Sequence, residues 1–409
     1  MTMQQTDTVA FAPSPSREPA AATRSSRLVL RLLEGIEHGE LAMTMPDGRQ
    51  LRFGRGLPVA SMRLRNWSVF DAAIRSGDIG LAETFIAGDW STDSLADLLS
   101  LFVANRAAIE HAVYGNWLGR LAYRIRHLLN RNTRAGSRRN IHAHYDLGNS
   151  FYRLWLDEGM TYSSALFDGD ARRTLAGAQH AKYARIADAL ALPEGANVLE
   201  IGCGWGAFAE LAAQRGLSVT GLTLSTEQLD WARARIGQAG LENRARFALR
   251  DYRDETGRYD GIVSIEMFEA VGENYWRPYF ETLRRCLNPG GRALVQTITI
   301  DESLFDRYRS GTDFIQQYVF PGGMLPSASR FAKLAEEAGL RVVERFAFGG
   351  DYARTLQHWR ERFAASLPAV RALGFDAAFV RTWEFYLAYC EAAFRHRNTD
   401  VVQFTLEHR

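Results

Sequence analysis

The stretch VLEIGCGWGAF, residues 198–208, constrains the fold of this chain more than any other segment. A buried-strand pattern that carries one acidic residue runs directly into Gly202, Gly204 and Gly206. After such a strand the chain must turn sharply into a helix and let a ligand approach the backbone, and Cβ atoms would obstruct both. The pattern therefore predicts a strand–turn–helix unit that binds a nucleotide-like ligand, with a purely structural turn as the alternative.

Strand-like segments recur on both sides of this turn. They lie at 197–201, 218–222, 245–249, 260–264, 292–298, 341–347 and 401–406, and helical patterns fill most of the gaps between them. This alternation predicts an α/β domain with a mostly parallel, seven-stranded sheet. An insertion at roughly 300–330, which contains YVFPGGMLPS, separates the fifth strand from the sixth.

The segment before this domain predicts a small α+β unit. LAMTMPDGRQLRFG alternates apolar and polar residues about a Pro-Asp-Gly turn, which indicates a β-hairpin. Helical patterns follow at 68–90 and 91–109, and Ser91 or Thr92 is the expected N-cap of the second helix. We therefore divide the chain into four parts: a disordered tail at 1–26, the small unit at 27–130, a basic linker at 131–143 and the larger domain at 144–409.

Charge and cysteine usage narrow the class of protein. The net charge is only +2, but Arg120–Arg139 contains seven arginines and no acidic residue. Such a basic, amphipathic stretch indicates a surface for anionic lipid or nucleic acid, and a solvated helix with a linker is the alternative. No apolar run is long enough for a transmembrane helix. The cysteines Cys203, Cys286 and Cys390 lie far apart, so we expect no disulfide framework, no metal site and a reducing compartment.

The ends of the second and third strands narrow the ligand. A dinucleotide site usually places an acidic residue at the end of its second strand, for the ribose hydroxyls. Here that place holds Thr223 and, five residues on, Gln228, which are neutral and can also bind hydroxyls. The third strand ends in LRDYRD, where Asp251 offers an acceptor for an adenine amine and Tyr252 a ring face. These residues favour S-adenosylmethionine over NAD.

With these motifs the sequence resembles the cyclopropane-fatty-acid synthase family of S-adenosylmethionine-dependent methyltransferases, from about residue 60 to the C-terminus. The resemblance also rests on HYDLGNSFYRLWLD, MTYSSALF, SIEMFEAVGE, YVFPGGMLPS, DYARTLQHWRERF and YLAYCEAAFRHR, which occur in that order. It implies a Rossmann-like class I methyltransferase domain with a lid insertion. GDIGLAETFIAGDW, at 77–90, is similar to part of the small lipid- or membrane-associated domain that precedes it in bacterial members.

The resemblance implies a set of cofactor contacts that begins at the amino-acid end of S-adenosylmethionine and runs through the ribose to the adenine. In that order the residues are Tyr162, Ser163, Gly202, Gly204, Thr223, Gln228, Asp251 and Tyr252. The implied reaction is methyl transfer to the double bond of an unsaturated acyl chain on a membrane phospholipid, which gives a cyclopropane fatty acid.

Methylation of an alkene leaves a carbocation, so a base must remove a proton to close the ring or to leave a methylene group. Many members of the family hold a bicarbonate ion as that base, between Cys, Glu, His and Tyr side chains and a backbone group. Glu269 and Tyr352 match this set, and Ile298 matches the position of the backbone group. Ser164 stands at the Cys position, however, and Gln296 at the His position.

Two interpretations of these departures stay open. Ser164 and Gln296 can still donate hydrogen bonds to an anion, so an altered bicarbonate site is one. The other is a methylated or methylenated product without ring closure, with Glu269 or another group taking the proton. Cys390 matches a cysteine sometimes assigned as catalytic in the family, but its neighbours in sequence favour a buried structural thiol.

The resemblance favours the membrane interpretation of the basic stretch, because a phospholipid substrate stays in the bilayer. Each basic residue near an anionic surface contributes about 1 kcal/mol. We therefore expect a cytoplasmic enzyme, peripherally associated with the inner face of the bacterial membrane, that has no nucleic-acid partner and has a homodimer as an option. A methyltransferase of small amines and a protein that binds lipid and cofactor without turnover are the alternatives.

Overall fold

The computed structural model describes residues 23–108 and 147–409. Three predictions therefore lie wholly or mostly outside the described residues. They concern the disordered tail 1–26, the basic stretch Arg120–Arg139 and the basic linker 131–143.

Helix α1 (Arg24–Leu33) begins inside the segment assigned to the tail. The Thr23 hydroxyl oxygen accepts a hydrogen bond from the backbone N–H of Ser26, which satisfies one of the free N–H groups of the first turn. The prediction of disorder up to residue 26 is therefore wrong for its last three residues, because this cap is a local contact that composition does not reveal.

Within residues 23–108, the N-terminal unit contains a four-stranded sheet and two helices besides α1. The strands are β1 (Gly39–Thr44), β2 (Gln50–Arg55), β3 (Val59–Leu64) and β4 (Trp90–Ser91), in the order β2-β1-β3-β4. β1 and β2 are antiparallel, which confirms the hairpin, whereas β1 and β3 are parallel. The helices are α2 (Ser68–Ala87) and α3 (Leu95–Ala104).

The N-cap of α3 is Ser94, so the prediction of Ser91 or Thr92 is wrong. The Ser94 hydroxyl oxygen accepts a hydrogen bond from the backbone N–H of Asp97 at 3.4 Å. Ser91 belongs instead to β4, where it pairs with Arg63 of β3. Because Ser91 is part of β4, helix α3 begins only after Ser94.

The larger domain is built on a seven-stranded sheet. Its strands are β5 (Asn197–Ile201), β6 (Ser218–Thr223), β7 (Ala245–Leu249), β8 (Tyr259–Ile265), β9 (Leu287–Ile300), β10 (Leu340–Ala347) and β11 (Thr399–His408). The order is β10-β11-β9-β8-β5-β6-β7. The pairs from β9 to β7 are parallel, and β11 alone runs antiparallel to its neighbours. The predicted mostly parallel sheet is confirmed.

Helices connect and cover the strands of this sheet. They are α4 (Asn149–Tyr152), α5 (Leu175–Leu190), α6 (Ala207–Gln214), α7 (Thr226–Gln238), α8 (Trp276–Cys286), α9 (Glu302–Ser310), α10 (Phe314–Tyr318), α11 (Ala328–Glu337), α12 (Gly349–Ala365), α13 (Leu367–Ala372) and α14 (Ala377–Arg395). The predicted insertion at 300–330 contains α9 and α10. It contacts the N-terminal unit through a hydrogen bond from the Tyr318 hydroxyl to Glu83 of α2.

The two parts of the chain share one hydrophobic core. Phe385 of α14 packs against Phe85 of α2, with ring centroids 5.9 Å apart. An ion pair of 3.0 Å between Arg395 of α14 and Asp97 of α3 lies at the same contact. The C-terminal helix therefore holds the N-terminal unit against the larger domain.

The glycine turn after β5 has the geometry that the sequence predicts. The backbone N–H groups of Gly202 and Cys203 both donate to the Leu222 carbonyl of β6, at 3.0 and 2.9 Å. Gly202 has φ +81° and a Cβ there would lie 2.9 Å from the Met267 side chain. Gly206, with φ +83°, is the N-cap of α6. A side chain is excluded at Gly202 both by conformation and by space.

We expect Gly221→Ala to destabilise the sheet next to this turn. A Cβ on Gly221 of β6 would lie 2.6 Å from the Phe247 ring and 2.9 Å from the Cβ of Cys203. Such overpacking costs about 1–3 kcal/mol of unfolding free energy and should lower the melting temperature by several degrees. Gly237→Ala is the matched control, because its Cβ would meet only Glu242, at 3.5 Å. Equal melting temperatures for the two variants would contradict the packing seen here.

Candidate functional site

A cavity lies at the carboxyl ends of the parallel strands, where α/β sheets bind their ligands. Its volume is about 170 Å³, and it is open to solvent on one side. Its wall includes every residue for which the resemblance implies a cofactor contact: Tyr162, Ser163, Gly202, Gly204, Thr223, Gln228, Asp251 and Tyr252. Residues up to 90 positions apart are thus brought to one cavity.

The ribose and adenine residues form a polar ledge at the ends of β6 and β7. The Thr223 hydroxyl donates to the side-chain oxygen of Gln228 at 2.9 Å. The Asp251 carboxylate accepts from Arg253, with its Oδ1 2.8 Å from Nε and its Oδ2 2.5 Å from an Nη atom. The Tyr252 ring lies edge-on to Tyr279, with centroids 5.6 Å apart. Sequence reasoning did not single out Arg253, which orients the Asp251 carboxylate.

Two further residues of the cavity wall, Tyr162 and Ser163, contact groups from helices that are distant in sequence. The hydroxyls of Tyr162 and Tyr386 are 2.7 Å apart. The buried ammonium of Lys182, on α5, donates to the Ser163 hydroxyl oxygen at 2.6 Å. Loss of hydration lowers the pKa of Lys182 to about 7. Sequence reasoning missed Lys182, because an isolated lysine in a helical pattern usually faces solvent.

Glu200, the acidic residue before the glycines, is a further residue of this wall that the predicted contacts left out. It is buried, and loss of hydration raises its pKa well above the ordinary value. Its Oε2 atom has no hydrogen-bond partner within the part of the chain that the structure describes. A buried oxygen of this kind at a cavity wall calls for a ligand that donates hydrogen bonds, and the ammonium group of S-adenosylmethionine fits it.

Three of the predicted catalytic residues converge on a carboxylate that sequence reasoning did not assign. The Tyr352 hydroxyl donates to Oε2 of Glu266 at 2.6 Å. The backbone N–H of Ser164 and the side-chain amide of Gln296 both donate to its Oε1, each at 2.8 Å. The Ser164 hydroxyl donates elsewhere, to the Ala165 carbonyl. Glu266 itself lines the cofactor cavity.

The predicted catalytic residue Glu269 lies in a short 3₁₀ turn three residues further along. Its Oε1 accepts from the backbone N–H of Ile298 and, at 3.0 Å, from the Thr297 hydroxyl. Its Oε2 is buried and has no hydrogen-bond partner among residues 23–108 and 147–409. Loss of hydration, followed by the charge of Glu266, raises the pKa of Glu269 to about 8. Glu269 is therefore mostly protonated at neutral pH.

The backbone at Glu266 is unusual. It directly follows β8 and has φ +49°, a left-handed conformation that non-glycine residues rarely adopt. Its N–H donates to the Gln296 carbonyl of β9 at 2.8 Å, which holds this conformation. Strain of this kind persists where the surrounding structure determines it, commonly at functional sites. Glu266 is visible in the motif SIEMFEAVGE, but no local sequence pattern predicts its positive φ.

Cys390 does not line the cofactor cavity. It is half-buried on α14, and loss of hydration raises the pKa of its thiol. The thiol is therefore protonated at neutral pH and is not an activated nucleophile.

A second cavity lies between the N-terminal unit and the larger domain. Its volume is about 320 Å³, and it is lined mainly by apolar side chains of α1, α2, α3 and the end of β9. Asp78 and Asp313 are its main acidic groups. The Asp78 carboxylate accepts from the Tyr389 hydroxyl at 2.9 Å. Loss of hydration, together with the charge of Asp78, raises the pKa of Asp313 to about 7.

No helix in the described ranges, 23–108 and 147–409, combines the length and the apolar character needed to cross a bilayer.

Comparison with known proteins agrees with this geometry. The chain is 40% identical over 340 residues to a Mycobacterium tuberculosis protein named tuberculostearic acid methyltransferase, covering 81% of this chain and 79% of that protein. It is 34% identical over 350 residues to the cyclopropane-fatty-acyl-phospholipid synthase of Escherichia coli, covering 85% and 88%. A crystal structure of a mycolic acid cyclopropane synthase complexed with SAH and CTAB aligns with a TM-score of 0.62 and 33% identity, over 66% of this chain and 97% of that one.

The family model described as mycolic acid cyclopropane synthetase matches residues 132–404, which include the whole seven-stranded sheet up to Phe404 of its last strand. The chain belongs to this family of S-adenosylmethionine-dependent methyltransferases.

Proposed function

We propose that the protein transfers the methyl group of S-adenosylmethionine to the double bond of an unsaturated fatty acyl chain of a membrane phospholipid. The observation that carries this proposal is the pair of carboxyl groups, Glu266 and Glu269, next to the cofactor cavity. Methylation of an alkene leaves a carbocation, which a nearby carboxylate stabilises and from which it can take a proton. Methylation of an amine lone pair forms no carbocation.

The relatives and the second cavity support the acyl substrate. The names of the two similar relatives refer to a fatty-acyl-phospholipid and to tuberculostearic acid. The second cavity offers an apolar space of the kind that an acyl chain requires. We propose that the chain of the lipid enters this space, between the N-terminal unit and the insertion. Because a phospholipid substrate stays in the bilayer, we also propose that the protein is cytoplasmic and associates with the inner face of the membrane.

The expected product is the cyclopropane fatty acid. Loss of a proton from the transferred methyl group closes the ring if the positive charge stays on the adjacent carbon. A second product is an open methylene chain, which forms when a hydride shifts before the proton leaves. Ser164 and Gln296 in place of Cys and His, together with the name of the 40%-identical relative, favour this second product.

Expression in a bacterium that lacks its own synthase should convert monounsaturated fatty acids into species heavier by one CH₂ group. Mass spectrometry of total fatty acids measures this gain. Ozonolysis then distinguishes the two products, because ozone cleaves the double bond of the methylene group to give a ketone and leaves a cyclopropane ring intact. A gain of CH₂ plus two hydrogens would mean a saturated methyl branch made with a separate reductant. Unchanged fatty acids, with purified protein that still binds S-adenosylmethionine, would contradict the proposed function.

Filling the second cavity should impair lipid turnover without affecting the cofactor. Val103 of α3 is half-buried in its wall, and Val103→Trp places an indole in the space assigned to the acyl chain. We expect kcat/KM for the lipid to fall about tenfold or more, since even small misfits in an apolar pocket have effects of that size. The Kd for S-adenosylmethionine should stay unchanged. Leu373→Trp, at an exposed leucine, is the control. Normal lipid turnover by a correctly folded Val103→Trp protein would exclude this cavity as the acyl site.

A further inference from the structure

We propose that Glu266 is the catalytic base of the reaction and that its carboxylate takes the place of an external bicarbonate ion. The inference rests on the proposed function, since it assigns the proton acceptor of that reaction. It departs from the bicarbonate site that the resemblance implies for Ser164, Gln296, Tyr352 and Glu269.

The hydrogen-bond donors that a bicarbonate ion would need are already engaged. Tyr352, the Ser164 backbone and Gln296 all donate to Glu266, and the Ile298 backbone donates to Glu269. A bicarbonate ion would have to displace these bonds. It would also bring a second negative charge against Glu266, in a region of low polarity where like charges repel strongly. The residues present therefore do not fit a bound bicarbonate.

The same contacts determine which of the two carboxyl groups carries the charge. Glu266 receives three hydrogen bonds across both oxygens and lies in the field of the buried ammonium of Lys182. Both Glu269 bonds fall on one oxygen, and its other oxygen has no partner among the described residues. Hydrogen bonds to the charged form stabilise that form. Glu266 is therefore the anion and Glu269 its protonated neighbour.

Glu266 also has the basicity that a proton acceptor requires. Loss of hydration raises its pKa above the ordinary value for a glutamate, while Tyr352, Lys182, Ser164 and Gln296 oppose the rise. A carboxylate with a raised pKa is a stronger base than one in water. Its strained backbone, held by Gln296, keeps the side chain at the cavity wall rather than in bulk solvent.

The step balances without a further reactant. The sulfonium supplies a methyl group, and the π electrons of the alkene form the new carbon–carbon bond as the carbon–sulfur bond breaks. The Glu266 carboxylate then takes a proton from the transferred methyl group. The electron pair of that C–H bond forms the third bond of the ring or, after a hydride shift, the methylene double bond. Glu266 finally releases the proton to water.

The first test needs no variant. We expect product formation by the wild-type protein to be the same in carbon-dioxide-free buffer and in buffer with added bicarbonate. A rate that falls at least severalfold on removal of bicarbonate, and recovers when it is restored, would overturn the assignment of Glu266 as the base.

Glutamine substitutions separate the two carboxyl groups. Glu266→Gln keeps the size of the side chain but removes the base, so product formation should fall about 10²–10⁴-fold. Glu269→Gln mimics a protonated carboxyl group and should cost less than about tenfold on the same argument. Glu361→Gln, on the solvent side of α12, is the control. Melting temperature and the Kd for S-adenosylmethionine show whether each variant is folded. The reverse order of the two losses would refute the proposal.

A third variant reports anion binding without turnover. In Glu266→Gly, glycine accepts the positive φ freely, and Tyr352, Ser164 and Gln296 are left to bind an added anion. Carbon-13 NMR of labelled bicarbonate should show binding to this variant and none to the wild-type protein. Added bicarbonate or formate should restore part of its activity. Equal bicarbonate binding by both proteins would contradict the proposal. Because the NMR measurement needs no lipid, it stands even where the proposed lipid substrate proves wrong.

Discussion

Two half-buried carboxyl groups, Glu266 and Glu269, need hydrogen-bond donors in place of water, and the larger domain provides these donors. A carboxyl group removed from water is stable only where donors replace its hydration. Here the donors come from the segment before α5, from β9 and from α12. The sheet brings β8 and β9 side by side, and the helices bring the remaining donors over its carboxyl end. The pairing of β8 with β9 and the helices over the sheet thus supply the hydrogen-bond donors of the site.

The ionisable side chains along the wall of the cofactor cavity differ in charge and in hydrogen bonding. The buried amine of Lys182 donates a hydrogen bond to Ser163, and Glu200, on the cavity wall, has an oxygen without a hydrogen-bond partner among residues 23–108 and 147–409. The unequal hydrogen bonding of Glu266 and Glu269 separates a charged group from a protonated one. A nearby anion stabilises both the methyl group as it leaves the sulfonium and the carbocation that forms afterwards. One carboxylate can therefore stabilise the positive charge and then remove a proton.

The N-terminal unit is joined to the catalytic domain by more than a linker. α14 packs against α2 and α3, and the insertion contacts α2 through Tyr318 and Glu83. The second cavity is enclosed by both parts. The N-terminal unit thereby supplies part of the wall of the apolar cavity in which we propose that the acyl chain lies.

The sequence by itself determined what depends on local pattern. Strand and helix periodicity predicted the mostly parallel sheet, and the glycines of VLEIGCGWG predicted the sharp turn in which Gly202 has a positive φ. Residues at strand ends predicted the cavity wall, because parallel strands end at the same edge of a sheet.

Only the tertiary structure decided the role of Glu266. Its donors Ser164 and Tyr352 lie 102 and 86 residues away, and its left-handed backbone depends on a hydrogen bond to the neighbouring strand. The burial of Lys182, and of the Glu200 oxygen that has no partner in the described part of the chain, likewise depends on what surrounds these side chains. Burial and pairing are properties of the folded chain, and no local pattern encodes them.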